Sequence, residues 1–153
     1  MNRQLFYHIR NQFRLDLHGI HGIPHWSRVY YFGKKIALQE EARLDIVHLF
    51  SILHDSQRIS DGFDLDHGIR AVDYAQHLRG KLFNLDDSGF ELLCQALAGH
   101  SHGQTEGDIT VQTCWDADRL DLGRIGIYPA ERFLCTETAK DPAFIHRAWK
   151  MTN

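Results

Sequence analysis

Apolar residues recur along this chain at helical rather than strand spacing. Leu5, Ile9 and Phe13 fall four apart, with Phe6 and Leu17 beside them, and predict a first amphipathic helix. Gly19, Gly22 and Pro24 interrupt it, and Pro24 is placed to open a second helix, where a missing amide N–H costs nothing. Trp26, Val29, Tyr30 and Phe32 would form the buried stripe of that helix. A third helix is predicted from about Glu40 to Leu53, with Ile46, Val47, Leu49, Phe50 and Leu53 as a wide apolar face. Ser60-Asp61-Gly62-Phe63-Asp64 is turn-rich and reads as a loop, and its acidic spacing does not fit an EF-hand. A helix resumes near Asp66 and carries Ala71, Val72, Ala75 and Leu78.

Ser88-Gly89-Phe90-Glu91 has the form of a capping box and leads into Leu92, Leu93, Leu97 and Ala98. Gly99 and Gly103 bracket His100-Ser101-His102 at the C-terminal end of that helix. Another helix covers roughly Gln112 to Leu122, and Asp141-Pro142 reads as the N-cap and first-turn proline of a short terminal helix. No internal repeat, low-complexity tract or linker interrupts the pattern. It predicts an all-α chain folded as a single-domain helical bundle over residues 1–153.

Composition narrows the setting. At 153 residues, 43% of them apolar, the chain can build one substantial core. A net charge of -3 and a longest basic run of Lys34-Lys35 argue against a nucleic-acid binder. No stretch nears the roughly 20 apolar residues of a membrane span, and residues 1–20 lack a signal-peptide core. Cys94, Cys114 and Cys135 are odd in number and lack CxxC spacing, which fits neither a disulfide framework nor a zinc knuckle. A reducing cytoplasm is the expected home. Histidine is the compositional outlier, with 11 residues, and its positions matter more than its abundance.

Four places hold candidate chemistry. His18, His21 and His25 lie in LHGIHGIPHWSRVY, where Gly22 and Pro24 keep His21 and His25 off one regular helix. His54-Asp55 ends the apolar run IVHLFSILHDS, setting two ligand types suited to a borderline or hard divalent metal at the edge of the core. In CWDADRLDLGRIGI, Asp118 and Asp121 share a face and Asp116 points elsewhere. A carboxylate on that apolar segment needs a metal or a partner such as Arg119 or Arg124. AGHSHG supplies His100 and His102. Each place also has a bland reading, as a surface histidine or a hydrogen-bonded helix end.

The ordered set His25…His54-Asp55…Asp118 resembles the H…HD…D signature of the HD-domain phosphohydrolase superfamily. HGIPHWSRV is similar to that family's H-x-x-x-H-W-x-R-V opening, and WDADRLDLGRIGI to a segment of its small stand-alone members. The resemblance is strongest over residues 20–135. It implies a helical bundle of the HD-domain type and an enzyme. The implied reaction is metal-dependent hydrolysis of a phosphate ester or anhydride, by default of a nucleotide, by a metal-activated water. His25, His54, Asp55 and Asp118 are the implied ligands of a divalent ion (Mn, Co, Mg, Ni, Fe or Zn). The A-D-x-L step selects Asp118 over Asp116, leaving Asp116 and Asp121 in supporting roles.

His67 and His100 match positions that bind a second metal in some branches of that family. Ser101, where a second histidine would stand, favours one metal. Arg28, Arg58 and Arg70 each follow a candidate ligand by about one helical turn and are the expected phosphate clamp, with Arg28 and Arg58 at the reacting group. Some nucleotide-cleaving relatives carry an acid where this chain has Arg58, so Asp61 in the following loop is expected to handle the proton, with Asp64 as the other nearby acid. The implied partner is a small phosphorylated molecule, with no membrane or nucleic-acid role. The reading of another class is a metal- or nucleotide-binding regulatory module without catalysis.

Overall fold

A computed structural model describes residues 2–152, and among these the chain is all-α. α1 (Arg3–Gln12) is capped by the Asn2 side chain, which accepts from the Leu5 amide, and it buries Leu5 and Ile9. The helix stops before Phe13, so Phe13 and Leu17 pack against the core from the connection that follows. α2 (Ile23–Glu40) starts one residue ahead of Pro24 and buries Trp26, Val29 and Phe32 as expected, while Tyr30 is only half-buried.

The helix expected from Glu40 begins instead at Leu44, as α3 (Leu44–Leu53). Glu40 is the last residue of α2, and Glu41 closes that helix with a left-handed φ of 57°. Apolar periodicity does not register such a turn, because the left-handed position is filled here by glutamate instead of the usual glycine.

α4 (His67–Leu78) follows the loop. α5 (Asp87–Gly99) is capped by Asp86, not Ser88: the Asp86 carboxylate accepts from the Gly89 amide and from the Ser88 hydroxyl. A carboxylate two residues upstream thus takes the place of the expected capping box. α6 (Ile109–Arg119) starts three residues earlier than expected, capped by Asp108, and tightens into a 3₁₀ turn over Leu120–Ile125. A second 3₁₀ turn (Glu131–Phe133), α7 (Glu137–Lys140) and α8 (Pro142–Thr152) complete the described chain. Asp141 caps α8 by accepting from the Ala143 amide.

The long α2 packs along α3 and α6, α5 lies against both α3 and α6, and α4 leans on α5. Trp26, Phe32, Phe50, Leu93, Leu97 and Leu120 fill the space between them. Burying each such side chain stabilises the fold by about 1.5–3 kcal/mol. Two glycines set the closest approaches. A Cβ on Gly33 would lie 2.5 Å from Val47 Cγ1, and one on Gly68 would lie 2.5 Å from the Leu97 carbonyl oxygen. The three cysteines are free. No helix among the described residues is long and apolar enough to cross a membrane.

Candidate metal centre

Helix ends, not helix middles, build the centre. Pro24 starts α2 and leaves His25 in the first turn, 0% exposed. α3 ends in His54, and Asp55 follows in the turn beyond it. α6 brings Asp118 in its last turn, α4 opens on His67, and α5 closes on His100. The four histidines and Asp55 are buried.

Asp55 lies between two imidazole pairs. His25 Nε2 and His54 Nε2 are 3.0 Å apart, and each is 3.4 Å from Asp55 Oδ2. Asp118 Oδ1 joins this group at 3.3 Å from His25 and 3.9 Å from His54. On the other side, His67 Nε2 and His100 Nε2 are 2.8 Å apart and lie 3.3 and 3.7 Å from Asp55 Oδ1. Each oxygen of one carboxylate therefore faces its own pair of ring nitrogens.

Ring protons account for the chemistry of these pairs. In all four histidines Nδ1 faces an acceptor: Asp121 Oδ2 for His25 at 2.6 Å, and the carbonyls of Phe50, Asp64 and Leu97 for His54, His67 and His100. Those acceptors assign the ring proton to Nδ1, leaving a lone pair on each Nε2. Four lone pairs and three carboxylate oxygens then converge with no ring proton between them, and Arg58 donates to Asp55 Oδ1 from outside the set at 3.0 Å. Such a set repels itself unless a cation sits in it, and the Nδ1 partners are the supports that orient metal-ligating histidines. The residues fit a divalent ion in each half: His25, His54, Asp55 and Asp118 on one side, Asp55, His67 and His100 on the other. Ser101 is exposed and does not disturb the second half, whose two histidines lie 33 residues apart in sequence.

The same electrostatics act on protons. Burial and Arg124 pull His25 down, but the carboxylates of Asp118, Asp121 and Asp55 outweigh them and raise it from 6.5 to about 9. Burial would raise Asp55 and Asp118. The surrounding imidazoles, and Arg124 beside Asp118, hold both below the usual carboxylate range. Without a metal the cluster thus draws a proton to His25, and a metal ion would displace it.

The 118–121 face reads as expected. Asp118 turns to the histidines, while Asp121, fully buried, accepts from His25 and from Arg28 at 2.5 and 3.1 Å. Asp116 points away and accepts from the amides of Cys135 and Thr136 and from the Thr136 hydroxyl, fixing the segment after the second 3₁₀ turn.

A cleft of about 420 Å³ opens on the centre at His100 and Asp118. Its wall includes Arg58, Arg119, Arg124, Asp61, His21 and Phe133. A smaller cavity of about 220 Å³, touching His67, shares Arg58 and Ser101 with it. The larger clefts, of about 630 and 470 Å³, are lined by other residues and do not touch the histidines. Only Arg58 of the expected clamp reaches the wall, tied to Asp55 Oδ1 at 3.0 Å and to the carbonyls of Ser60 and Gly62. Arg28 is held by Asp121, and Arg70 by Asp64 at 2.6 and 2.7 Å, and neither lines the cleft. Nearby carboxylates have taken both, and the clamp is corrected to that extent.

Asp61 lies on the wall, half-exposed, and its Oδ1 is 2.8 Å from His21 Nδ1. His21 is buried, and that burial lowers its pKa. Nothing in the local sequence marks His21, Arg119 or Arg124 as wall residues. His21 lies four residues before His25, in the turn ahead of α2, but Asp61 is 40 residues away, and no local signal links the two.

These features define a helical protein built round a buried His/Asp metal centre. The fold matches the crystal structure of a predicted HD superfamily hydrolase from an uncultured Thermotogales bacterium, with a TM-score of 0.74 and 26% identity over 97% of this chain and 85% of that one. No protein-family model and no curated protein matches the sequence. The fold is similar to that of this HD superfamily hydrolase, and the His/Asp cluster fits the H…HD…D pattern.

Proposed function

We propose that this chain is a metal-dependent phosphohydrolase, cleaving a phosphate ester or anhydride of a small molecule at the Asp55-centred site. The observation that carries the reading is the meeting of imidazole and carboxylate lone pairs on both sides of Asp55, next to an arginine-lined cleft. His25, His54, Asp55 and Asp118 would hold one divalent ion, and Asp55, His67 and His100 a second. Bound there, the ions would supply an acidified water as nucleophile and Lewis acidity toward the phosphoryl oxygens.

The chain's own groups would do the rest. Arg58 and Arg124 would hold the phosphoryl group in the cleft as rigid charge-assisted donors. Asp61 would pass a proton toward the leaving group, with His21 positioning its carboxylate through the 2.8 Å contact. Asp121 would keep the proton of His25 on Nδ1 and so keep Nε2 free for metal. A nucleotide is the substrate class that the superfamily resemblance supports. The neighbouring structure, itself named a predicted hydrolase, supports hydrolysis in general.

The decisive experiment loads the purified protein with Mn²⁺, Co²⁺, Mg²⁺ or Ni²⁺ in turn. Each form is assayed on a chromogenic phosphomonoester and phosphodiester, then on nucleoside mono-, di- and triphosphates and cyclic dinucleotides. Turnover that disappears in His54→Ala is expected. Silence on every substrate with metal still bound would leave the regulatory-module reading. Asp61→Ala should lower turnover in a pH-dependent way, and full activity across pH would remove Asp61 from the mechanism.

A further inference from the structure

Arg119 differs from the other arginines on the cleft wall. It follows Asp118 in α6, turned about 100° from it. The residue is only 7% exposed. One guanidinium nitrogen, Nη1, donates to the Phe133 carbonyl at 2.8 Å and lies 3.5 Å from Cys135 Sγ. The guanidinium carbon lies 5.5 Å from the centroid of the Trp115 ring. The other terminal nitrogen, Nη2, is buried and has no hydrogen-bond partner among the described residues.

Its charge is equally bare. Arg58 holds Asp55 at 3.0 Å and Arg124 approaches Asp118 at 3.7 Å, but Arg119 has no carboxylate within 4.0 Å among the described residues. A buried guanidinium without a counter-charge is unfavourable, and the carbonyl and the indole ring answer only part of its donor capacity. Arg119 nevertheless lines the cleft that reaches the metal centre. A cation that the protein leaves uncompensated, on the wall of a cleft, is a place for an anion brought from outside.

We propose that Arg119 receives a second anionic group of the substrate, a phosphate or carboxylate carried by the part of the molecule beyond the metal centre. The proposal rests on the phosphohydrolase reading, in that the first anionic group is the one held at the metals. It makes the preferred substrate doubly anionic, and it makes Arg119 a specificity residue, not a ligand of the reacting phosphorus. Lysine at this position would keep the charge but lose the planar fork and the ring contact.

Calorimetric binding to the full Mn²⁺-loaded chain tests this without needing turnover. The probes are methylphosphonate and a series of bisphosphonates with one to four methylene groups between the two phosphonates. At least one bisphosphonate should bind about tenfold or more tightly than methylphosphonate, a gain typical of one added charge-assisted contact. Arg119→Met should abolish that advantage and leave methylphosphonate binding unchanged. Arg119→Lys, which preserves the buried charge should the methionine variant fail to fold, should reduce the advantage without touching methylphosphonate. The proposal is overturned if the wild type shows no bisphosphonate advantage, if either folded variant keeps it in full, or if both probes weaken in parallel. Failure of the phosphohydrolase reading would show separately, as metal-loaded protein that hydrolyses no ester.

Discussion

Asp121 accepts from His25 Nδ1 at 2.6 Å while Arg28 grips both of its oxygens, so a carboxylate outside the ligand set controls one inside it. Replacing it by asparagine removes the charge that holds the imidazole in its metal-binding tautomer. Asp121→Asn should weaken metal binding roughly 10–100-fold, measured by competition with a chelating dye, with helix content unchanged. His25 itself makes the metal-free protein sensitive to pH. Its pKa is raised from 6.5 to about 9, so its contribution to stability is fully present below pH 6.5 and is lost as pH rises through 9. The melting temperature of the metal-free protein should therefore fall between those pH values, and metal saturation should flatten that fall. An equal slope with and without metal would refute the assignment. Asp55 and Asp118 have the opposite sign: their lowered pKa values stabilise the fold above the usual carboxylate range and cease to do so in acid.

Elements matter because five helix ends must meet. Gly68, next to His67 at the start of α4, leaves only enough room for a hydrogen beside the Leu97 carbonyl of α5. A methyl group there would press on backbone, which cannot rotate aside. Gly68→Ala should cost about 1–3 kcal/mol by overpacking and push His67 away from His100. The expected sign is selective: reduced metal stoichiometry with the His25 half still loaded, read by elemental analysis alongside a melting curve. A parallel loss of both ions would show that the halves are not separately built. At this scale the sequence was legible where a helix face is wide and apolar, as in Ile46 to Leu53. It misled at boundaries, because Glu41 ends α2 in a left-handed turn and Asp86 takes the cap assigned to Ser88. Both outcomes depend on single backbone or side-chain contacts that leave the hydrophobic period untouched.

For the whole molecule the metal centre joins α2, α3, α4, α5 and α6 at one point, so it should act as a fastener for the fold. Chelation should lower the melting temperature, and each metal re-added should raise it, the tighter binder more, with a stabilisation of about 2.7 kcal/mol per site at a hundredfold excess over Kd. A chelator without effect on melting would mean that no ion is held where the histidines converge.

The sequence by itself determined the all-α class, the apolar faces of the helices, and the order His25, His54-Asp55, Asp118. Those features are local: a period of 3.6 residues, a proline at a helix start, and ligands next to one another or in familiar strings. Tertiary structure alone decided which arginines face the cleft. Arg28 and Arg70 are withdrawn by Asp121 and Asp64, while Arg119 and Arg124 arrive from a helix end whose spacing marks neither as a clamp. It also decided that Asp55 serves two histidine pairs, since the rings it faces come from helix ends far apart in sequence. A carboxylate's second oxygen has no signature in a sequence. Its use depends on where the ends of four helices meet.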